Sequence, residues 1–216
     1  MRTLKSLTFL LMLAIVGMSF ANAQTSDEWK DARKIAGKKA IKDARKQAKK
    51  FRKQGFMNLP GEPNMDKQIE EAMILNYVRD DKGRRKFYYT TQEAKAETFA
   101  AAKQQAQQLC LADIASQIGS NILGRIKSNV ANAEQMEDAA SVTEVIGAYQ
   151  NTVAAKLGRT EPVVLFTKKD KLTYIYMGVL YDVASAEEMI KNDLRKELKS
   201  KTELLQEEID GLLELK

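Results

Sequence analysis

Apolar residues recur at helical spacing from residue 90 onward, in the longest patterned stretch of the chain. Thr90 and Glu93 stand three residues apart, as in a capping box, so we predict that a helix begins at this pair. The residues that follow are rich in Ala, Gln, Glu and Lys. An apolar stripe runs through them at three- and four-residue intervals, and it consists of Phe99, Ala102, Ala106, Leu109 and Cys110.

Between residues 114 and 130 an apolar residue occupies every fourth position. The series is Ile114, Ile118, Ile122, Ile126 and Val130, with Ser116, Ser120 and Ser128 between them. This spacing fits the repeating face of a helix and the alternating faces of a strand equally well. We predict that the helix ends here and leads into a long strand.

Two hairpins are predicted on either side of this stretch. Residues 65–72 suit a short helix, and residues 73–79 pair plausibly with residues 86–91 across a turn at 80–83. Tyr88 and Tyr89 lie in the second of these strands, where sheet packing is favoured over a ligand platform. The clearer hairpin joins residues 163–167 to residues 172–182.

The remaining patterned segments are helical. Residues 134–157 have helical spacing, with a strand as the alternative around residues 142–146. A charged helix is predicted from Ala184 to the end of the chain. Its apolar stripe is interrupted at Lys201, so we expect the first half to dock on the sheet and the second half to project or pair with another helix. Its heptads are too few and irregular to indicate a coiled coil.

These elements predict an α+β fold with an antiparallel-containing sheet and a strand-helix-strand-strand core. A basic N-terminal helix precedes the core and a long charged C-terminal helix follows it. A loop with two prolines at residues 58–64 marks the first boundary. We therefore divide the chain into a basic arm (24–56), a core (57–183) and a C-terminal helix (184–216).

The segment 1–23 has the pattern of a signal peptide. Arg2 and Lys5 precede an apolar run from Leu7 to Phe20, and small residues at 21–23 suit signal peptidase. The run is short for a membrane span, although an uncleaved anchor is the alternative. No cysteine lies near the cleavage site to carry a lipid anchor. We expect a processed chain from Gln24, located in the periplasm or secreted, with no transmembrane span.

Basic charge is concentrated in the arm. Residues 27–54 hold twelve basic residues against four acidic ones, while the whole chain has a net charge of +6. Alanine recurs every fourth residue from Ala32 to Ala48, so one side of the predicted helix is a narrow stripe of small residues. The candidate surface-binding residues are Trp29, Lys30, Arg33, Lys34, Lys38, Lys42, Arg45, Lys46, Lys49, Lys50 and Phe51.

Three partners for the arm follow from its charge. Anionic lipid or glycan at an envelope surface would attract the lysines, with Trp29 and Phe51 as interfacial anchors. Nucleic acid is disfavoured because export keeps it away and no reading motif is present. The third possibility is that the arm packs on the protein itself, and the acidic last turns of the chain, residues 203–214, are the specific candidate.

The composition argues against most enzyme chemistry. The chain has no histidine, so Ser-His-Asp and Cys-His nucleophiles and histidine-containing zinc sites are excluded. Its single cysteine, Cys110, cannot form an intramolecular disulfide, and its place on an apolar stripe predicts a buried thiol. We predict no catalytic residues, no metal ligands and no cofactor. Paired carboxylates remain chemically sufficient for hydrolysis, so a carboxylate-dependent hydrolase is the alternative of a different class.

One string has the glycine spacing of a phosphate loop. It runs from Gly119 to Ile126, but Arg125 stands in place of the required lysine and Ile126 in place of the metal-binding hydroxyl. We interpret the match as chance. The glycines are expected to mark a bulge or bend in the long strand.

The order of elements resembles the small bacterial envelope proteins of the Lpp-twenty type and the related periplasmic flagellar-assembly domains. The segments at residues 53–56, 59–60, 93–96, 112–118 and 163–182 are also similar to uncharacterised exported proteins of Gram-negative anaerobes. This resemblance implies a strand-helix-strand-strand core and an envelope location, and it brings no catalytic residues. The chain departs from the lipoproteins by lacking the acylated cysteine.

We therefore expect an exported, non-catalytic cell-envelope protein that acts through protein–protein or scaffold interactions. An envelope protein or a second copy of the chain is the expected partner. The alternative is a module that binds anionic lipid or glycan through the arm.

Overall fold

The computed structural model describes residues 26–133, 138–158 and 160–214, with the backbone alone described at residues 26–29 and 35. Within these ranges the chain forms eight helices and a four-stranded antiparallel sheet. The predicted α+β class is confirmed. None of the helices in the described ranges is long and apolar enough to cross a membrane.

The sheet has the order β1-β3-β4-β2, and all of its pairs are antiparallel. Its strands are β1 (Met57–Asn58), β2 (Phe87–Ala96), β3 (Pro162–Lys169) and β4 (Thr173–Asp182). The β3–β4 hairpin is the one that the sequence predicts most clearly, and it is confirmed. β4 lies in the interior of the sheet and pairs with β2 along the whole length of that strand.

Two helical layers cover the two faces of the sheet. On one face lie α1 (Ser26–Lys53) and α2 (Met65–Tyr77), which contact Val164 and Phe166 of β3. On the other face lies α3 (Phe99–Ile118), whose buried residues Ala102, Ala106 and Cys110 pack on β2 and β4. Two members of the predicted apolar stripe, Phe99 and Leu109, are exposed instead. Side chains of β3 and β4 alternate between the two layers, as the twofold period of a strand requires: Phe166 faces α1 and α2, whereas Leu165 joins the α3 core.

The remaining helices complete the α3 layer. They are α4 (Gly124–Asn132), α5 (Ala139–Gln150), α6 (Val153–Lys156), α7 (Val183–Lys201) and α8 (Gln206–Leu212). The predicted helix over residues 134–157 is therefore present as α5 and α6, while residues 134–137 lie outside the described residues. A single helix is predicted from Ala184 onward, but α7 ends at Lys201, where the predicted apolar stripe is interrupted, and α8 is a separate helix. α8 then packs against α4 and α7.

The predicted helix start at Thr90 and Glu93 is wrong. Both residues lie in β2, and the helix begins at Phe99 after Thr98, whose hydroxyl accepts a hydrogen bond from the Ala101 amide at 3.2 Å. The capping-box spacing is a short local signal. Pairing of the whole of β2 with β4 outweighs it, and β4 comes much later in the chain, after α3 to α6 and β3.

The predicted long strand over residues 114–130 is also wrong. Its four-residue series lies on α3, a π-helical segment (Gly119–Leu123) and α4, and each of its five apolar side chains is buried. Positions four apart drift around an α-helix, which has about 3.6 residues per turn. The wider π segment, in which the Gly124 amide donates to the Gly119 carbonyl, helps keep the series on the core side.

The first predicted hairpin is wrong as well. α2 continues to Tyr77, so residues 73–77 are helical, and an isolated bridge between Arg79 and Arg85 is what remains of the pairing. The turn at 80–83 is present, with the Gly83 amide donating to the Asp80 carbonyl at 2.8 Å. Residue 87 then begins β2, whose partner is β4.

Gly178 in β4 makes a close approach that a side chain would prevent. A Cβ at this position would lie 3.0 Å from the Val164 Cβ and 3.2 Å from the Tyr89 hydroxyl oxygen. Gly147 in α5 is the opposite case, because a Cβ there would meet nothing within 4 Å.

Substituting each glycine by alanine should therefore change stability in opposite directions. Gly178→Ala should lower the free energy of unfolding by about 1–3 kcal/mol through overpacking. Gly147→Ala should raise it by about 0.5–1 kcal/mol because alanine favours helix. Urea denaturation of the two variants measures both effects. Equal changes in the two variants would contradict the packing of β3, β4 and Tyr89.

Candidate functional site

Helix α1 is held to the sheet by its alanine stripe. Ala44 and Ala48 are fully buried against α2 and the β3 side chains Val164 and Phe166. Ala32, Ala36 and Ala40 pack in a second cluster with the C-terminal half of α2 and with Leu180. Alanine side chains are short, so the helix backbone can approach its neighbours closely. The arm thus packs on the protein itself, through small residues.

Phe51 attaches the end of α1 to the sheet. Its ring centroid lies 4.4 Å from that of Tyr176 and 5.4 Å from that of Phe166, and it makes an edge contact with Phe56 at 5.6 Å. These rings form an aromatic cluster that fixes the orientation of the helix. Phe51 is therefore partly buried in this cluster, whereas the lipid-binding alternative expects it to be an interfacial anchor. The side chain of Trp29 lies outside the described part of the chain.

Gly37 divides α1 into two helical segments. Its φ of 60° and ψ of −170° are not helical, and a left-handed φ of this kind favours glycine. The second segment, residues 38–53, is about 24 Å long at the usual rise per residue. It carries most of the basic charge.

The basic side chains of α1 project away from the sheet. The described basic residues of this helix are all exposed, and two of them pair with α2: Arg33 with Glu70 at 3.5 Å and Arg52 with Asp66 at 3.0 Å. Nine others have no ion-pair or hydrogen-bond partner for their side chains within the described residues. They are Lys34, Lys38, Lys39, Lys42, Arg45, Lys46, Lys49, Lys50 and Lys53. We call these nine residues the basic face.

The basic face differs slightly from the predicted set. Lys39 and Lys53 belong to it but are missing from the candidate residues, although they lie in the same run of charge. Lys168 of β3 also adjoins the end of α1, since a side chain at Gly55 would meet its aliphatic stem at 3.7 Å. The Lys168 ammonium lies 5.1 Å from the centroid of the Tyr174 ring. Positive charge therefore continues from the helix onto the sheet.

Helix α1 does not pack on the acidic last turns of the chain, residues 203–214. Helix α8 lies against α4 and α7, and Asp210 accepts a hydrogen bond from Arg195 at 2.8 Å. The expectation that these turns are the intramolecular partner of the arm is wrong. The partners are α2 and the sheet, and their contacts with α1 are mainly apolar. This arrangement leaves the basic face exposed to solvent.

Other polar groups in the described residues serve to join elements. Tyr149 of α5 donates a hydrogen bond to Asp193 of α7 at 3.1 Å, and Lys156 of α6 donates to the same carboxylate at 2.9 Å. The hydrogen bond from Lys156, followed by that from Tyr149, keeps the pKa of Asp193 below its usual range, although partial burial opposes this shift. Every carboxyl group with a shifted pKa in the described part shifts downward.

Cys110 and the polar cleft beside α8 are the remaining candidates for chemistry. Cys110 is buried, as predicted, and burial raises the pKa of its thiol to about 12. The cleft, of about 260 Å³, is lined by Arg125, Ser128, Asn129, Gly211 and Glu214. No group of three or more potential metal ligands occurs within the described ranges.

Comparisons with known protein families, with curated proteins and with solved structures give no match for this chain.

Replacing Asp193 should reveal the role of the Tyr149–Asp193–Lys156 contact. Because folding lowers the pKa of this carboxyl group, its stabilisation is present above the usual carboxyl pKa and disappears as the pH falls through the folded value. We expect Asp193→Asn to cost about 1–2 kcal/mol at neutral pH. The difference in the free energy of unfolding between this variant and the unsubstituted chain should shrink as the pH falls towards about 3. Urea denaturation at both pH values measures it, and a pH-independent difference would contradict this account.

Proposed function

We propose that this is an exported, non-catalytic protein of the cell envelope that acts through binding, and that its basic face engages an anionic lipid surface. The observation that carries the proposal is that nine basic side chains on one packed helix lack partners in the described residues. An exposed cluster of this kind repels itself and attracts anions. A surface of anionic headgroups would neutralise many of these charges at once.

The way in which α1 is attached supports a flat, electrostatic contact. Ala44, Ala48 and Phe51 point into the protein, so the described part of the face from residue 38 to residue 53 offers lysine and arginine with little apolar surface. A helix that inserts into a bilayer instead presents large apolar residues to the lipid. We therefore propose that the helix lies on the headgroups, and that binding weakens as salt screens the charges.

A non-catalytic role is supported by the polar groups that remain. General acid catalysis by a carboxyl group near neutral pH requires a raised pKa. In the described residues, each carboxyl group whose pKa is shifted has a lowered pKa. The only thiol of the chain is buried with a raised pKa, which disfavours the reactive thiolate. The proposal of export follows from the signal-peptide pattern of residues 1–23.

Charge removal from the basic face should weaken binding to anionic vesicles. The chain from Gln24 would be sedimented with phosphatidylglycerol-containing vesicles and with phosphatidylcholine vesicles over a salt series. We expect binding only to the anionic vesicles. The triple variant Lys38→Gln, Lys42→Gln, Lys46→Gln should bind about a hundredfold more weakly, at about 1 kcal/mol per lysine.

A matched control removes the same number of charges elsewhere. Lys82, Lys171 and Lys199 are exposed and lie outside α1, and their side chains have no partner in the described residues. Replacing these three by glutamine should leave binding nearly unchanged. Equal losses from both triple variants, or no binding by the unsubstituted chain, would contradict the proposal. Surface substitutions are preferable to deleting the arm, since deletion would uncover Val164 and Phe166.

A further inference from the structure

Within the described part of the chain, the outer edge of β2 is open over half of its length. The Tyr89 carbonyl accepts a hydrogen bond from the Gln117 side chain at 3.2 Å, so this carbonyl points away from β4. Backbone groups alternate in direction along a strand, so the even-numbered residues of β2 bond to β4 and the odd-numbered residues point outward. The outward set is Phe87, Tyr89, Thr91, Glu93 and Lys95.

The two edges of the sheet are protected differently. On the β3 edge, β1 pairs with Phe166 and Thr167, and the Gln68 side chain accepts a hydrogen bond from the Leu165 amide at 2.8 Å. On the β2 edge, the Gln117 side chain covers one backbone group, the Tyr89 carbonyl. The outward amides and carbonyls of Thr91, Glu93 and Lys95 have no partner among the described residues.

The exposed side chains of this edge are complementary to themselves. Glu93 and Lys95 are both exposed and point to the same face of the sheet, on either side of Ala94. If a second copy adds antiparallel with its Ala94 opposite Ala94, each Glu93 lies opposite Lys95 of the other copy. This alignment also brings the outward backbone groups of residues 93 and 95 opposite each other as hydrogen-bonded pairs. Opposite charges directly across a strand pair are stabilising.

Neighbouring alignments are unfavourable. Centring the pair on Glu93 would place two glutamates opposite each other, and centring it on Lys95 would place two lysines opposite each other. The same charges therefore select one register and oppose slipped ones. Isolated charges on an edge strand normally block association. Here the order of Glu93 and Lys95 along the strand opposes the slipped registers and permits the pairing centred on Ala94.

The α3 layer carries apolar surface beside this edge. Gln117 reaches the Tyr89 carbonyl, so its side of α3 faces the edge. Two turns earlier on that helix, Leu109 is 42% exposed, and Phe99, close to the end of β2, is 38% exposed. A twofold partner at the edge would approach this side of α3 as well.

We propose that a second copy of this chain adds to the β2 edge, to form a twofold homodimer with a continuous eight-stranded sheet centred on Ala94. The interface is isologous, since the same residues of both copies form it. This inference stands on the sheet edge and is independent of lipid binding by α1.

Charge reversal tests the proposed register. The chain from Gln24 would be studied by analytical ultracentrifugation up to its highest soluble concentration, where we expect a dimer. Glu93→Lys places lysine opposite lysine, and Lys95→Glu places glutamate opposite glutamate, so each variant alone should weaken the dimer by about tenfold or more. Both side chains are exposed, so circular dichroism should show an unchanged fold.

Two combinations should restore association. The double variant Glu93→Lys, Lys95→Glu regains opposite charges in every cross-strand pair. An equimolar mixture of the two single variants should form a heterodimer, because one copy is wholly basic and the other wholly acidic at these positions. A monomer at every concentration would overturn the proposal. So would a dimer that ignores the single reversals, or single-variant losses that neither combination restores.

Discussion

Alanine at every fourth position of α1 lets a strongly basic helix lie close against the sheet. The stripe from Ala32 to Ala48 is buried, and it packs on apolar residues of α2, β3 and β4. The direction of every other α1 side chain follows from this contact, because one side of the helix is held and the opposite side must face solvent. The exposure of the basic face is therefore a consequence of packing with small residues.

The central strand sets the geometry on which this packing rests. β4 pairs with β2 on one side and β3 on the other, and it alternates Ile175, Met177 and Val179 towards α3 with Tyr174 and Tyr176 towards the α1 side. The strand thus connects the α3 layer to the aromatic cluster that holds Phe51. The two sheet edges are unequal. Gln68 and β1 cover the β3 edge, while three outward residues of β2 have no backbone partner among the described residues. The proposed lipid binding by α1 and the proposed pairing at β2 would use separate surfaces of one fold.

The sequence predicted the elements whose signals are local and missed those that depend on distant partners. The β3–β4 hairpin and the buried Cys110 follow from short patterns and were predicted. The interruption of the apolar stripe at Lys201 was also predicted, but within a single helix, where the structure has α7 and α8. Residues 87–96 form a strand because they pair with β4, which lies far along the chain at residues 173–182. The capping-box spacing of Thr90 and Glu93 favoured a helix start there instead. The isoleucine series was ambiguous because a spacing of four belongs to neither a regular α-helix nor a strand alone. The π segment that accommodates it has no sequence signature of its own in this chain.

The candidate site was partly predictable for the same reason. Charge density marked the basic helix without a structure, and the alanine spacing indicated which side would be buried. The role of Phe51 was not predictable, since an aromatic residue at a helix end suits an interfacial anchor and a packing contact equally. Tyr176 and Phe166, which decide between the two, lie on β4 and β3 in the second half of the chain.

The claim on which this account depends most is that α1 is docked, and native-state hydrogen exchange followed by mass spectrometry tests it directly. An isolated helix of this composition would be marginal in water, so its amides would exchange within a small factor of unfolded rates. The account predicts that amides in residues 40–53 are strongly protected and approach the protection of α3, because opening them requires breaking the alanine and Phe51 contacts. Exchange of these amides at near-unfolded rates, with α3 still protected, would contradict it.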